Sequence, residues 1–285
     1  MKKLFLLKQK WAIVALSLVV SIVFISCDQD NNDTKIDDET TTTSVVKDDT
    51  YASETFQDAS DLLDETAVNL KTATTSYCLL SDCAIVTEDL VSNPRVITID
   101  FGINGCTGAD GKTRKGKIIA TYGGDYWDDG AVKTITFENY YVDDNKVEGT
   151  KIVTAGARNE ADNRFYTESV SGSIELAENG GTILWEATHS REVVEGSSTP
   201  LIYDDVYQLT GNSSGTTADG EEYSSSITSA LVRKVEPGCR HNYVQGIIEI
   251  TPIGKTTRVV DYGDGTCDRK ATVTVDDNVY EVYLR

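Results

Sequence analysis

From about Ala84 to the C-terminus, short runs of alternating or β-branched apolar residues follow one another. They are Val96–Phe101, Lys117–Tyr122, Lys133–Tyr141, Val147–Thr154, Phe165–Val170, Thr182–Thr188, Val206–Gly211, Tyr223–Val232, Val244–Thr251, Thr257–Tyr262, Ala271–Val275 and Val279–Leu284. A period of two is the signature of a strand with one buried face. Between the runs lie Gly-Gly, Asp-Asp-Gly, Asp-Asp-Asn, Glu-Asn-Gly-Gly and Ala-Asp-Gly, all suited to tight turns. Tight turns join antiparallel neighbours, whereas parallel strands need long crossovers. The pattern predicts a mainly β fold, an antiparallel meander forming a sandwich or incomplete barrel, with one N-terminal helix.

That helix is expected over Ser53–Lys71. Phe56, Ala59, Leu63, Ala67 and Leu70 recur at steps of three and four, and Ser53 is placed to cap the start. Its expected role is to cover one face or end of the sheet. Ahead of it, Asp28 to Asp49 is rich in Asp, Asn and Thr with few apolar residues, which predicts a disordered acidic tether across residues 27–50. A flexible coil of that length would hold a domain on the order of 25 Å from its anchor. Residues 51–285 are expected to form a single β-rich domain.

Within the strands, Val147-x-Gly149, Val170-x-Gly172, Leu209-x-Gly211 and Val244-x-Gly246 place glycine among apolar residues, where it usually marks a bulge or bend. A second regularity links two distant segments. Asp100-Phe101-Gly102 precedes Cys106 by the spacing with which Asp261-Tyr262-Gly263 precedes Cys267, a repeated strand-end motif.

The first residues read differently. Lys2, Lys3, Lys8 and Lys10 precede an apolar run from Trp11 to Ile25, followed by Ser26-Cys27 and an acidic stretch. A basic start, a short apolar core and a small residue before the cut are the order of a secretory signal. The run is shorter than the roughly 20 apolar residues a spanning helix needs. The segment resembles the lipobox of bacterial lipoproteins, with Phe24 where leucine is usual, and the resemblance implies lipidation of Cys27 after removal of residues 1–26. Acids directly after Cys27 resemble the surface-export signal of Bacteroidota-type lipoproteins. Together with the Asp-aromatic-Gly…Cys segments, closing on Asp261–Asp268, the whole chain resembles uncharacterised lipoproteins of that group. The resemblance implies a lipid-anchored address at the outer membrane or cell surface, and no activity.

Charge narrows the partners. The chain carries 26 basic and 46 acidic side chains, a net −20. Such a surface repels phosphate backbones, which argues against nucleic acid. Glycan, an envelope protein and the membrane remain as expected partners.

Five cysteines follow Cys27, and an exported chain permits disulfides. Cys239 and Cys267 are equidistant from the turn at Pro252–Lys255, and Cys83 and Cys106 from Pro94-Arg95. Residues equidistant from a hairpin turn face each other, so Cys83–Cys106 and Cys239–Cys267 are the expected bonds, each contributing about 3 kcal/mol by chain entropy. Cys78 is left over, either an alternative to Cys83 or reduced.

Candidate chemistry is sparse. His189 sits in a strand pattern and His241 in a loop. No zinc spacing, nucleophile elbow or phosphate loop occurs, so no catalytic residue, metal or cofactor is assigned. Paired acids at Asp128/Asp129, Asp143/Asp144, Asp204/Asp205 and Glu221/Glu222 lie in turns, where they serve the turn. Tyr126, Trp127 and Asp128, between two strands, form the one ligand-binding candidate: a ring beside carboxylates can stack on a sugar. Trp185, Tyr140 and Tyr141 are expected as core and face residues of their strands. The sequence favours a non-enzymatic binding or structural protein of the cell envelope, with a carbohydrate hydrolase using paired carboxylates as the alternative.

Overall fold

The computed structural model describes residues 32–72, 80, 82–89, 91–124, 128–199, 201–236, 238–240 and 242–284. Helix α1 (Asn32–Thr72) is followed by β1 (Ile85–Asp89), β2 (Arg95–Asp100), β3 (Cys106–Thr107), β4 (Thr113–Gly123), β5 (Val132–Val142), β6 (Asn145–Gly156) and β7 (Phe165–Glu175). After a short 3-10 turn come β8 (Thr182–Glu195), β9 (Val206–Thr216), β10 (Glu222–Lys234), β11 (Gln245–Pro252), β12 (Arg258–Asp264), β13 (Lys270–Val275) and β14 (Asn278–Tyr283). Every pairing is antiparallel and joins sequence neighbours, apart from β2, which pairs β4, with β3 attached to β4 alone. The expected meander is present as one sheet, and it does not close: β1 and β14 are its edges.

The sheet curls around the helix. From Thr42 to Asn69 nearly every side chain of α1 is buried, including Asp48, Asp49, Glu54, Asp58, Asp61, Asp64 and Glu65. At 1.5 Å per residue this stretch is about 42 Å long, comparable with the longest strands. α1 touches β2, β7, β8, β11 and β12, and its polar groups reach side chains of β4, β5, β6 and β10 as well.

The structure corrects two expectations. The helix does not start at Ser53 but runs from Asn32, so the described part of the expected tether, residues 32–50, is helical. Val45 and Val46 are fully buried. Nor does α1 cover one face or end of the sheet; it fills the interior. The physical reason is the same in both cases. An acidic, Thr-rich segment looks solvated until the opposing surface supplies matching donors, and here the inner face of the sheet does so. Ser53 accordingly is no cap: its hydroxyl shares a 2.8 Å hydrogen bond with the Tyr243 hydroxyl.

The apolar part of the core is aromatic around Phe56, whose ring stacks on Trp185 at 5.9 Å and meets Phe137 edge-on at 5.8 Å. Gly172 is explained by this contact. A Cβ there would collide with Cζ of Phe56, and the pairing of β7 with its neighbours is regular across it. It is therefore a site of close approach rather than a bulge. Gly149, Gly211 and Gly246 do lie at register shifts, between β5 and β6, β9 and β10, and β11 and its neighbours. Bulges increase local twist and help the sheet curl.

Both expected disulfides are present. Cys83–Cys106 spans 5.8 Å between Cα atoms and Cys239–Cys267 spans 5.2 Å. The hairpins are centred slightly off the position that cysteine spacing alone implies, since Ile85 faces Asp100 and Ile247 faces Asp261, and the cysteines lie outside these two ladders, Cys106 pairing instead with Arg114 of β4. The repeated motif is a shared local structure: the Asp100 and Asp261 carboxylates each accept a 2.8 Å bond from the backbone N–H two residues on, at Gly102 and Gly263. Phe101 and Tyr262 are buried between.

Candidate ligand cleft and its buried ion pairs

The interior is held by acids on the helix and bases on the sheet. Asp58 accepts from Arg114 of β4 at 2.6 Å, and Arg114 also reaches Asp110, which Arg240 approaches at 3.3 Å. Asp61 pairs with Arg233 of β10, and Asp64 with Lys133 of β5. Lys133 Nζ also donates to the Ser60 hydroxyl at 3.0 Å. Nearer the start of the buried stretch, Asp49 accepts from Trp185 Nε1 at 2.9 Å, the Ser213 hydroxyl at 2.8 Å and the Tyr223 hydroxyl at 3.1 Å. One helix carboxylate thereby gathers β8, β9 and β10.

A second cluster lies on three adjacent strands. Glu168 of β7 pairs through Oε2 with Lys151 of β6 at 2.9 Å and through Oε1 with Arg191 Nε of β8 at 2.6 Å. Lys151 Nζ donates to Gln57 Oε1 of the helix at 2.7 Å. The Arg191 guanidinium lies between the rings of Tyr166 and Tyr207, 4.6 Å from each centroid, a double cation–π arrangement that fixes its plane.

Burial sets the protonation states. Loss of water pushes the Glu54 carboxyl up to about 8, partly offset by the charges of Lys112, Arg233 and Arg269. It also raises Asp49, against the three bonds it accepts. Burial alone would raise Glu168 too, but the charges of Lys151 and Arg191 hold it well below the usual range. His189, also on β8, is pushed down to about 4 by burial; it is neutral at pH 7 and packs beside Trp185 at 5.9 Å.

Arg191 and Lys133 also line a small half-open cleft of about 20 Å³, with Tyr122, Ala131, Val132, Val153, Ala155 and Tyr166. Its walls are mostly apolar, and the two cations are its charged lining groups. It has room for about one water molecule. A separate cavity between α1 and the sheet, lined by Asp49, Trp185, His189 and Tyr262 among others, is more enclosed.

Of the residues singled out in the sequence, Cys27, Cys78, Tyr126, Trp127 and His241 lie outside the described residues. Asp128 is exposed in the turn before β5, its carbonyl accepting from Ala131 N–H at 3.0 Å. Tyr122 and Ala131, on either side of that loop, do line the cleft. Trp185 and Tyr140 are core residues, and Tyr141 is half-buried. Of the paired acids, Asp205 is buried and bound to Arg164 and Tyr207, while Asp204 accepts from Thr199. Glu236 lies beside Cys239 and Cys267, but those sulfurs are spent in a disulfide and offer no thiolate to a metal.

The ion-pair layer is absent from the expectations above, although the sequence holds a signal for it. Lys133-x-Ile135, Lys151-x-Val153, Glu168-x-Val170, Arg191-x-Val193 and Arg233-x-Val235 put charges on the apolar side of each alternation. A charge at a core-facing position demands a partner. No known protein family, curated protein or solved structure matches the chain.

Proposed function

We propose that this chain is a lipid-anchored protein of the cell envelope, at the outer membrane or cell surface, that acts by binding rather than by catalysis. The observation that carries the second half is the separation of its displaced acids and bases from its opening. Asp49, Glu54 and His189 are enclosed between helix and sheet, whereas general acid–base chemistry needs such groups within reach of a substrate. The outward cleft instead presents rings, small apolar side chains and two cations already fixed by partners.

Anchoring rests on Cys27 behind its apolar run. No helix among the described residues is long and apolar enough to cross a membrane, and the attachment proposed is by acyl chains, each buried methylene contributing about 0.8 kcal/mol. Metabolic labelling with palmitate and membrane sedimentation test it. The native chain takes the label and sediments with membranes, and Cys27→Ala loses both. Label retained by Cys27→Ala would overturn the anchor.

A further inference from the structure

We propose that the groove on the outer sheet face beside Tyr141 and Glu175 binds a neutral sugar unit of a glycan. The inference rests on the binding role proposed above and adds the ligand's chemistry and its place.

Sheet register builds the floor of this groove. Tyr141 of β5 faces Lys146 of β6, Lys146 faces Glu175 of β7, and Glu175 faces Thr182 of β8. Residues directly opposite in an antiparallel sheet share a face. The row faces outward, since its chain neighbours Tyr140, Val147, Ile174 and Ile183 are buried. At about 4.8 Å between strands it is about 14 Å long. Two turns wall it: Asp144 lies in the β5–β6 turn, and Ala177, Glu178 and Asn179 form the 3-10 turn before β8. The second wall is held in place by one side chain. Asn145 Oδ1 accepts from the Ala177 N–H at 2.9 Å, and Asn145 Nδ2 donates to the Tyr51 hydroxyl of α1 at 2.9 Å. The groove holds about 480 Å³, within the range of small-molecule sites and far above the cleft at Arg191.

Its chemistry selects the ligand. Lys146 is paired with Glu148, and Asp144 with Lys115. Among the described residues, the side chains of Tyr141, Glu175, Glu178, Asn179 and Thr182 have no hydrogen-bond or ion-pair partner. Ionised carboxylates only accept, whereas phenol, amide and hydroxyl groups also donate. Adjacent sugar hydroxyls need both kinds of partner, and their bonds to ionised acceptors are the strong ones. Leu176 and the Tyr141 ring, both half-buried, offer an apolar surface to the C–H face of a sugar. Three carboxylates against one ammonium line the groove, which repels phosphates and uronates. Nor is it a cation cage: among the described residues, its three carboxylates do not all come within 4.8 Å of one another.

Saturation-transfer NMR of the full-length chain in dodecylphosphocholine micelles tests this. The neutral probes are the methyl glycosides of glucose, galactose, mannose and N-acetylglucosamine, with glucuronate as the anionic probe and putrescine as the cationic one. At least one glycoside should receive saturation, and glucuronate none. Glu175→Ala, a change at an exposed side chain, should weaken that binding at least about tenfold without shifting the melting temperature. Tyr141→Phe keeps the ring and removes the hydroxyl, and should cause a smaller loss. Silence of every glycoside, or glycoside binding unchanged in Glu175→Ala, would overturn the inference. Putrescine bound alone, and lost in Glu175→Ala, would overturn the sugar assignment and leave the binding role standing. Release of methanol from a bound glycoside would instead overturn the non-catalytic role and leave the sugar assignment standing. None of these outcomes bears on the Cys27 anchor.

Discussion

Replacing residues 42–50 by a Gly-Ser segment of equal length is expected to abolish cooperative unfolding of the entire domain. The segment resembles a solvated linker in composition, but its removal empties the interior. Val45 and Val46 are fully buried, and each such side chain contributes about 1.5–3 kcal/mol. Losing Asp49 strands Trp185 Nε1 and the Tyr223 hydroxyl, while Ser213 keeps its bond to Ser225, at about 1–3 kcal/mol for each donor left unpaired. Further ties go with it: Asp48 accepts from Ala218 N–H at 2.9 Å, and Thr50 bonds the Tyr262 hydroxyl at 3.0 Å. Together these losses are comparable with the total stability of an ordinary domain, about 5–15 kcal/mol. Thermal unfolding followed by near-ultraviolet circular dichroism reads the result. A transition within a few degrees of the native one would mean that these residues are a linker after all.

The second large effect is at Glu168. Glu168→Ala leaves Lys151 and Arg191 facing each other without an anion, both of them buried. Removing one partner from a buried ionic cluster costs about 3–5 kcal/mol, and here two cations lose the same counter-ion. The milder Glu168→Gln keeps the shape and one acceptor, so its loss is expected to be smaller. It also separates the charge by pH. The folded-state pKa of Glu168 is depressed below its ordinary value of 4.5. The stabilisation by its charge is therefore present above about pH 4.5 and lost as pH falls below that. Native protein should lose stability steeply in that acid range, and Glu168→Gln should show a shallower decline with a lower plateau at neutral pH. Urea denaturation between pH 3 and pH 8 measures both. Parallel curves for the two proteins would show that the carboxylate is not ionised against Lys151 and Arg191.

The strands are readable in the sequence because alternation reports burial of one face directly. Each apolar run from Val96 onward overlaps a strand of the sheet, and both disulfides follow from symmetry about a turn. β1 and the two-residue β3 do not stand out as separate strands. Ile85–Asp89 carries two acids and exposes Ile85, as an edge does, so its pattern is weak. The helix is half readable. Its second half has an apolar stripe around Phe56 and Leu63, whereas the first half buries mostly polar side chains that only a polar partner surface makes compatible with a core. That surface comes from strands more than a hundred residues away, such as Trp185 and Tyr223 for Asp49, and local composition carries no trace of it. The cleft is legible only in part: Arg191 and Lys133 stand out as charges at apolar positions, but their meeting depends on how far the sheet curls.

Hydrogen exchange of the full-length chain in detergent micelles tests the central claim, that an acidic helix forms the core of this sheet. Amides buried in a core exchange only through large-scale opening. Peptides covering residues 42–69 should therefore exchange as slowly as those from β6 to β8. Rapid exchange over residues 42–52 beside a protected sheet would contradict the claim and return that segment to solvent.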